Sequence, residues 1–189
     1  MESGQNSGNQ GKGIALIMNY SAIKNCDIAN GFGVRVSLFV SGCSHHCKNC
    51  FNKETWDFAS GQPFTEETED SIIKMMEPSY IDGLSLLGGE PMEKVNQKGL
   101  LPFVKRVKEH YPDKNIWCYT GYLYEDLLPG GKVHTQDTDE LLSFIDILVD
   151  GEFKEELYSI MLKFRGSSNQ RVIDLNKTRE TGEIVLFLQ

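Results

Sequence analysis

Residues 34–52 read VRVSLFVSGCSHHCKNCFN. Val34 to Val40 is a run of strand character, rich in β-branched side chains. The chain then turns at Gly42 into a polar loop holding Cys43, Cys47 and Cys50. A strand that opens into a ligand-bearing loop is typical of α/β sheets, where ligands sit beyond the C-terminal ends of the strands. Other segments repeat the arrangement. Strand candidates Ile14–Asn19, Gly83–Leu87, Asn115–Thr120, Ile145–Asp150, Arg171–Leu175 and Ile184–Leu188 alternate with helical stretches. Thr65 is positioned to cap a helix to about Glu77, since Glu66, Glu67 and Glu69 load its first turn and Pro78 stops it. A second helix is expected over Lys98–His110, and shorter ones over Tyr122–Leu128, Asp139–Phe144 and Lys154–Leu162. This order predicts an α/β fold built from βαβ units around a mainly parallel sheet. The stretches LSLLGGEP, IWCYTGY and ILVDGEF leave their strands at the same rim as the cysteine loop, so four polar loops should converge there.

The 189 residues suit one domain with a proper core. The expected organisation is a polar N-terminal tail over residues 1–12, rich in Gly, Ser, Asn and Gln, followed by a single domain over 13–189. A net charge of −8 argues against nucleic acid or an anionic membrane as partner, since both need a basic face. No apolar run is long enough to cross a bilayer, and MESGQNSGNQGKG has no apolar core of a signal peptide, so the expected compartment is the cytoplasm.

Five cysteines, three of them crowded, favour metal binding over disulfides in a reducing compartment. A structural zinc needs four ligands, and His45 or His46 could supply the fourth. An iron–sulfur cube has four irons, so three cysteines leave one iron open. Zinc sites are usually built from two separated halves, and no second half follows here. Cys26 and Cys118 read as buried thiols, and His45 and His46 as solvent-facing loop residues.

The spacing CxxxCxxC resembles the cluster motif of the radical S-adenosylmethionine enzymes. The resemblance implies a [4Fe–4S] cluster on Cys43, Cys47 and Cys50, its open iron chelated by S-adenosylmethionine, which is cleaved to a 5′-deoxyadenosyl radical. The stretch GGEP, Gly88 to Pro91, resembles the family's turn at the cofactor's amino group. Gly88 and Gly89 are thereby implied as contacts, with Glu90 organising the turn. Asn49, Cys50 and Phe51 are implied beside the adenine, although the family's common form has an aromatic where this chain has Asn49. Related activases carry Asp-x-Lys for the amino acid end; the match here is Asp150-Gly151-Glu152, without the lysine.

The wider pattern, from CDIANGFGVRVSLFVSGCSHHCKNCFNKETWDFASGQPFT to RGSSNQRVIDL, resembles the anaerobic ribonucleoside-triphosphate reductase-activating proteins, which are glycyl-radical enzyme activases. That resemblance implies a partial, open barrel of (βα)6 type, with about six strands in place of the closed eight. It implies that the substrate is the glycyl radical subunit of the class III reductase, and that a low-potential donor such as flavodoxin supplies the electron. RGSSNQR, Arg165 to Arg171, would border the opening or serve as a plain polar loop. Two other readings stay open: a zinc or Fe–S module without catalysis, and a radical enzyme acting on a small molecule.

Overall fold

A computed structural model describes residues 18–188. The polar tail and nearly all of the strand expected over Ile14–Asn19 lie outside the described residues. The strands are β1 (Asn19–Asp27), β2 (Val34–Val40), β3 (Gln62–Pro63), β4 (Ile81–Gly88), β5 (Asn115–Tyr119), β6 (Ile147–Asp150), β7 (Arg171–Asp174) and β8 (Leu186–Leu188). They form one sheet in the order β3-β1-β2-β4-β5-β6-β7-β8. The helices are α1 (Glu66–Met75), α2 (Lys94–His110), α3 (Tyr124–Leu127), α4 (Thr138–Phe144) and α5 (Leu175–Thr181). Among the described residues no helix is long and apolar enough to cross a membrane.

The sheet is mixed, where the sequence suggested a mainly parallel one. Only β2, β4, β5 and β6 run parallel, giving three parallel pairings, and four antiparallel pairings flank them. The cause lies in the connections. A parallel return needs a crossover, usually a helix. The helix expected over Lys154–Leu162 is only a 3-10 turn at Glu155–Leu157, so β7 comes back beside β6 antiparallel. At the other end a short turn joins β1 to β2 as an antiparallel pair. The helix α5 was not anticipated; Asp174 caps it by accepting from the Lys177 N–H, and Gly182 closes it in the left-handed region.

Alternation along the parallel strands sorts the two faces. Val36, Leu38 and Val40 of β2, Leu84 and Leu86 of β4, and Ile116 and Cys118 of β5 join the large core beneath the helices. The intervening residues face the other way: Trp117, Ile147 and Val149 form a second, smaller cluster there. In register on that face lie Ser37, Ser85, Trp117 and Ile147 in one row, with Tyr119 opposite Val149 above them.

Arg35 is fully buried on this second face. It donates to Ser85 Oγ at 2.7 Å, Leu84 O at 2.7 Å and Asn115 Oδ1 at 2.8 Å, and its guanidinium lies 5.5 Å from the Trp117 ring centroid. Burial pushes its pKa down to about 10, so the charge persists near neutrality. Arg35 also donates to Phe32 O at 3.1 Å, and Ser85 donates to Asn30 O at 2.5 Å. Those bonds fasten the β1–β2 turn to the sheet.

Candidate iron–sulfur and cofactor site

The cysteine loop leaves the end of β2 and is laced to its neighbours through backbone bonds. Gly42 N–H donates to Thr55 O at 2.7 Å and Cys43 N–H to Trp56 O at 3.1 Å. From the turn after β4, Gly89 N–H reaches Val40 O and Glu90 N–H reaches Gly42 O, both at 2.8 Å. These contacts explain the paired glycines. A Cβ at Gly89 would stand 2.6 Å from Gly42 O, and one at Gly88, whose φ is +109°, would stand 2.7 Å from Phe39 Cα. Two tight backbones therefore meet where the cysteine loop begins.

Glu90 is almost wholly buried and ties three segments together. It accepts from Met92 N–H at 2.8 Å and Gly121 N–H at 2.7 Å, and pairs with His45 Nε2 at 3.1 Å. Glu93, which the sequence reading passed over, accepts from Ser44 N–H at 2.9 Å and from Tyr122 OH at 3.2 Å. A glutamate just before a helix gives no sequence signal of this loop-holding role.

Cys43, Cys47 and Cys50 line one cavity of about 210 Å³ together with Phe51, Gly88, Gly89 and Glu90. Burial pushes the Cys43 thiol up to about 12 and, with the Glu152 charge, the Cys47 thiol up to about 11. Both thiols are therefore protonated in the metal-free chain, and iron must displace those protons. Asn52 N–H donates to Cys50 Sγ at 3.4 Å. Among the described residues no three Cys, His, Asp or Glu side chains are placed to hold a single metal ion. Zinc would need them to meet at one point. In a cube each thiolate takes its own iron, and the three thiols lining this one pocket are the donor set such a cluster takes.

The expected cofactor residues divide. Phe51 lines the cavity, 5.4 Å from the Phe153 ring centroid, and the pair supplies the aromatic wall that the substitution at Asn49 seemed to remove. Asn49 turns its side chain outward to donate to Glu155; its φ of +55° explains the residue type, because asparagine tolerates the left-handed region. Gly88 and Gly89 line the cavity, as does Glu90. Asp150 stands apart. It is fully buried, bonded to the Arg171 guanidinium, and accepts from Tyr124 N–H at 2.7 Å. Its oxygens are occupied by internal donors, and its neighbours Val149 and Gly151 line the cavity instead.

Two expectations about loop residues are corrected. His45 is packed rather than solvent-facing: its ring lies 4.3 Å from that of Tyr122 and against Gly121. Burial alone would lower its pKa, but the bond and charge of Glu90 outweigh that and leave it raised. Cys26 is exposed, in β1 at a break in its pairing with β2, whereas Cys118 is buried as expected. His46 is exposed, edge-on to Trp56.

RGSSNQR closes the opposite wall. Gln170 Oε1 accepts from Gly166 N–H at 2.8 Å and Ser167 N–H at 3.0 Å, while its Nε2 donates to Gly151 O at 2.9 Å. Gly166 and Gln170 thereby form part of the cavity lining. Tyr119 lines the cavity as well. Its hydroxyl is shut off from solvent and has no hydrogen-bond partner among the described residues. An orphan of this kind costs about 1–3 kcal/mol and calls for an explanation.

Fold and site together place three thiols around one open pocket, as an iron–sulfur protein requires, and the comparisons show that class. The family model described as a 4Fe-4S single cluster domain matches residues 29–173. The anaerobic ribonucleoside-triphosphate reductase-activating protein of Pasteurella multocida (strain Pm70) is 44% identical over 155 residues, covering 81% of this chain and 95% of that protein. Those of Escherichia coli (strain K12) and Enterobacteria phage T4 are 42% and 40% identical, each over 82% of this chain and over 97% and 93% of their own lengths. The chain belongs to the family of anaerobic ribonucleoside-triphosphate reductase-activating proteins.

Proposed function

We propose that this protein is a radical S-adenosylmethionine activase that generates the glycyl radical of a class III anaerobic ribonucleoside-triphosphate reductase. The observation that carries the reading is the joint lining of one pocket by three thiols and two side-chain-free glycines. Cys43, Cys47 and Cys50 would hold a [4Fe–4S] cluster, with the fourth iron left to S-adenosylmethionine. When bound, the cluster and S-adenosylmethionine supply the electron transfer and C–S cleavage whose product takes a hydrogen atom from a glycine Cα. The chain's own residues bind and orient. Gly88 and Gly89 offer backbone groups at the cofactor's amino end, Glu90 keeps their turn against Gly121, and Phe51 with Phe153 covers the adenine. The apolar wall of Leu87 and Val149 keeps water from the reacting carbon.

In this reading the open sheet serves as the partial barrel of such enzymes, its uncovered face admitting a protein substrate. The protein works in the cytoplasm with a low-potential, flavodoxin-like electron donor. The test is the EPR spectrum of anaerobically reconstituted, reduced protein. A [4Fe–4S]⁺ signal that changes on adding S-adenosylmethionine, followed by a glycyl radical when the reductase is present, is the expected result. A silent sample holding one tightly bound zinc would sink the reading. So would cofactor cleavage driven by a small molecule and indifferent to the reductase.

A further inference from the structure

A second cavity, of about 540 Å³, opens beside the first and shares with it Phe51, Tyr119, Val149, Gly166 and Gln170. Its outer walls come from two lips: the β1–β2 turn, through Ala29 and Asn30, and the loop between β6 and β7, through Phe164 and Arg165. The lips touch where the Phe32 and Phe164 rings lie 4.7 Å apart.

Two polar groups on the wall of this cavity are able to donate to a ligand. The Tyr119 hydroxyl is the orphan noted above. Arg165 donates to Gln170 O at 2.9 Å and makes no ion pair among the described residues. A peptide backbone carbonyl is an acceptor that suits both. Outside, the lips expose large apolar side chains: Ile160 and Met161 are 81% and 83% exposed on one, and Ile28 is 75% exposed on the other. On a chain this acidic, clustered apolar exposure at a cavity mouth marks a protein contact.

We propose that the second cavity receives the glycine-bearing segment of the reductase, and that Tyr119, on the wall between the cavities, is a positioning residue whose hydroxyl donates to a backbone carbonyl of that segment. The inference rests on the activase reading and specifies its substrate contact. A glycine suits the boundary because, without a Cβ, its Cα can come up to the shared wall while the flanking carbonyls reach Tyr119 and Arg165. Arg35 contributes indirectly, since its bonds to Phe32 and Asn115 hold the β1–β2 lip in place.

The experiment uses reconstituted protein, S-adenosylmethionine and the intact reductase. Binding is followed by fluorescence anisotropy of labelled reductase, and radical yield by EPR. Tyr119→Phe should raise the half-saturating reductase concentration about tenfold, the value of one lost buried hydrogen bond. It should also raise the amount of 5′-deoxyadenosine formed per glycyl radical, which a merely structural role would not do. The double variant I160D/M161D changes two outward side chains. It should keep its cluster absorption and melting temperature while binding the reductase at least tenfold more weakly, as expected for central contacts of an interface. If both variants bind and couple like the wild type, the proposal is overturned and Tyr119 is a hydroxyl satisfied by water. If the rim variant alters only self-association, or only reduction by the electron donor, the lips belong to another partner and the proposal is likewise overturned. If the wild type cleaves the cofactor but leaves no radical on the reductase, the activase reading fails first, before any variant is compared.

Discussion

The cysteine loop, residues 42–52, and the loop across the pocket, residues 151–170, face the same space but dispose of their polar groups differently. The first fixes its backbone to the turn after β4 and lines the pocket with its three sulfurs, one of which accepts from the Asn52 N–H. The second spends its groups internally: Gln170 bridges Gly166, Ser167 and Gly151, and Asn169 donates to Glu152 O at 2.8 Å. One wall holds bonding capacity in reserve for something the chain does not contain. The other is bonded mostly within itself and supplies shape, with Asn169 Oδ1 left without a partner among the described residues. Loss of a sulfur should therefore abolish function and spare the fold, while loss of a buried carboxylate behind the second wall should do the reverse.

The largest effect is expected from Cys47→Ala. With two thiolates the cube has no stable seat. The 4Fe–4S absorption should be lost on reconstitution, and radical formation on the reductase should fall at least ~100-fold, the usual scale for losing a group essential to the chemistry. Cys47 is only partly buried, so the metal-free fold should lose no more than about 1 kcal/mol in urea melts. A variant that keeps its cluster, or one that unfolds, breaks the comparison from its first side.

Asp150→Ala probes the second wall. Asp150 has no exposure, and its partner Arg171 is 27% exposed with Glu125 still available to it. Breaking a buried pair costs roughly 3–5 kcal/mol, and the remaining partner reduces that to about 2–3 kcal/mol. The folded fraction should bind S-adenosylmethionine within about threefold of the wild type, well under the tenfold per 1.4 kcal/mol of a lost contact. Weaker cofactor binding at full stability would instead make Asp150 a cofactor ligand, as the Asp-x-Lys resemblance had implied.

The contrast also separates what the sequence disclosed from what it hid. That Cys43, Cys47 and Cys50 share one pocket was legible because residue type and spacing along eight positions bring them together. Gly88 and Gly89 were legible for a related reason, since only glycine satisfies two backbones within 3 Å. The second wall was not. Its order comes from bonds such as Gln170 to Gly151, nineteen residues apart in sequence, and no periodicity announces them. The Lys154–Leu162 segment has apolar residues that pass for a helix face, yet Leu157, Ile160 and Met161 lie exposed to solvent. With no helix there, the parallel return was lost too, and one local misreading became an error in sheet topology.

The smallest effect sharpens the second wall. Arg171 also bonds Glu125, at 3.0 Å to one oxygen and 2.7 Å to the other, and that bond holds the Glu125 carboxyl below its ordinary pKa. Because the folded value is depressed, the unfolded chain takes up the proton first as pH falls. The pair's contribution is complete above the unfolded value, near 4.3, and disappears as pH drops through the folded one. Glu125 is 53% exposed, so solvent screening limits the contribution to about 0.5 kcal/mol. Glu125→Gln should therefore melt slightly below the wild type at pH 6, with the gap narrowing as pH falls below the unfolded value. A gap that does not narrow would mean that Glu125 acts through packing, and that the outer half of the Arg171 clamp is not held by charge.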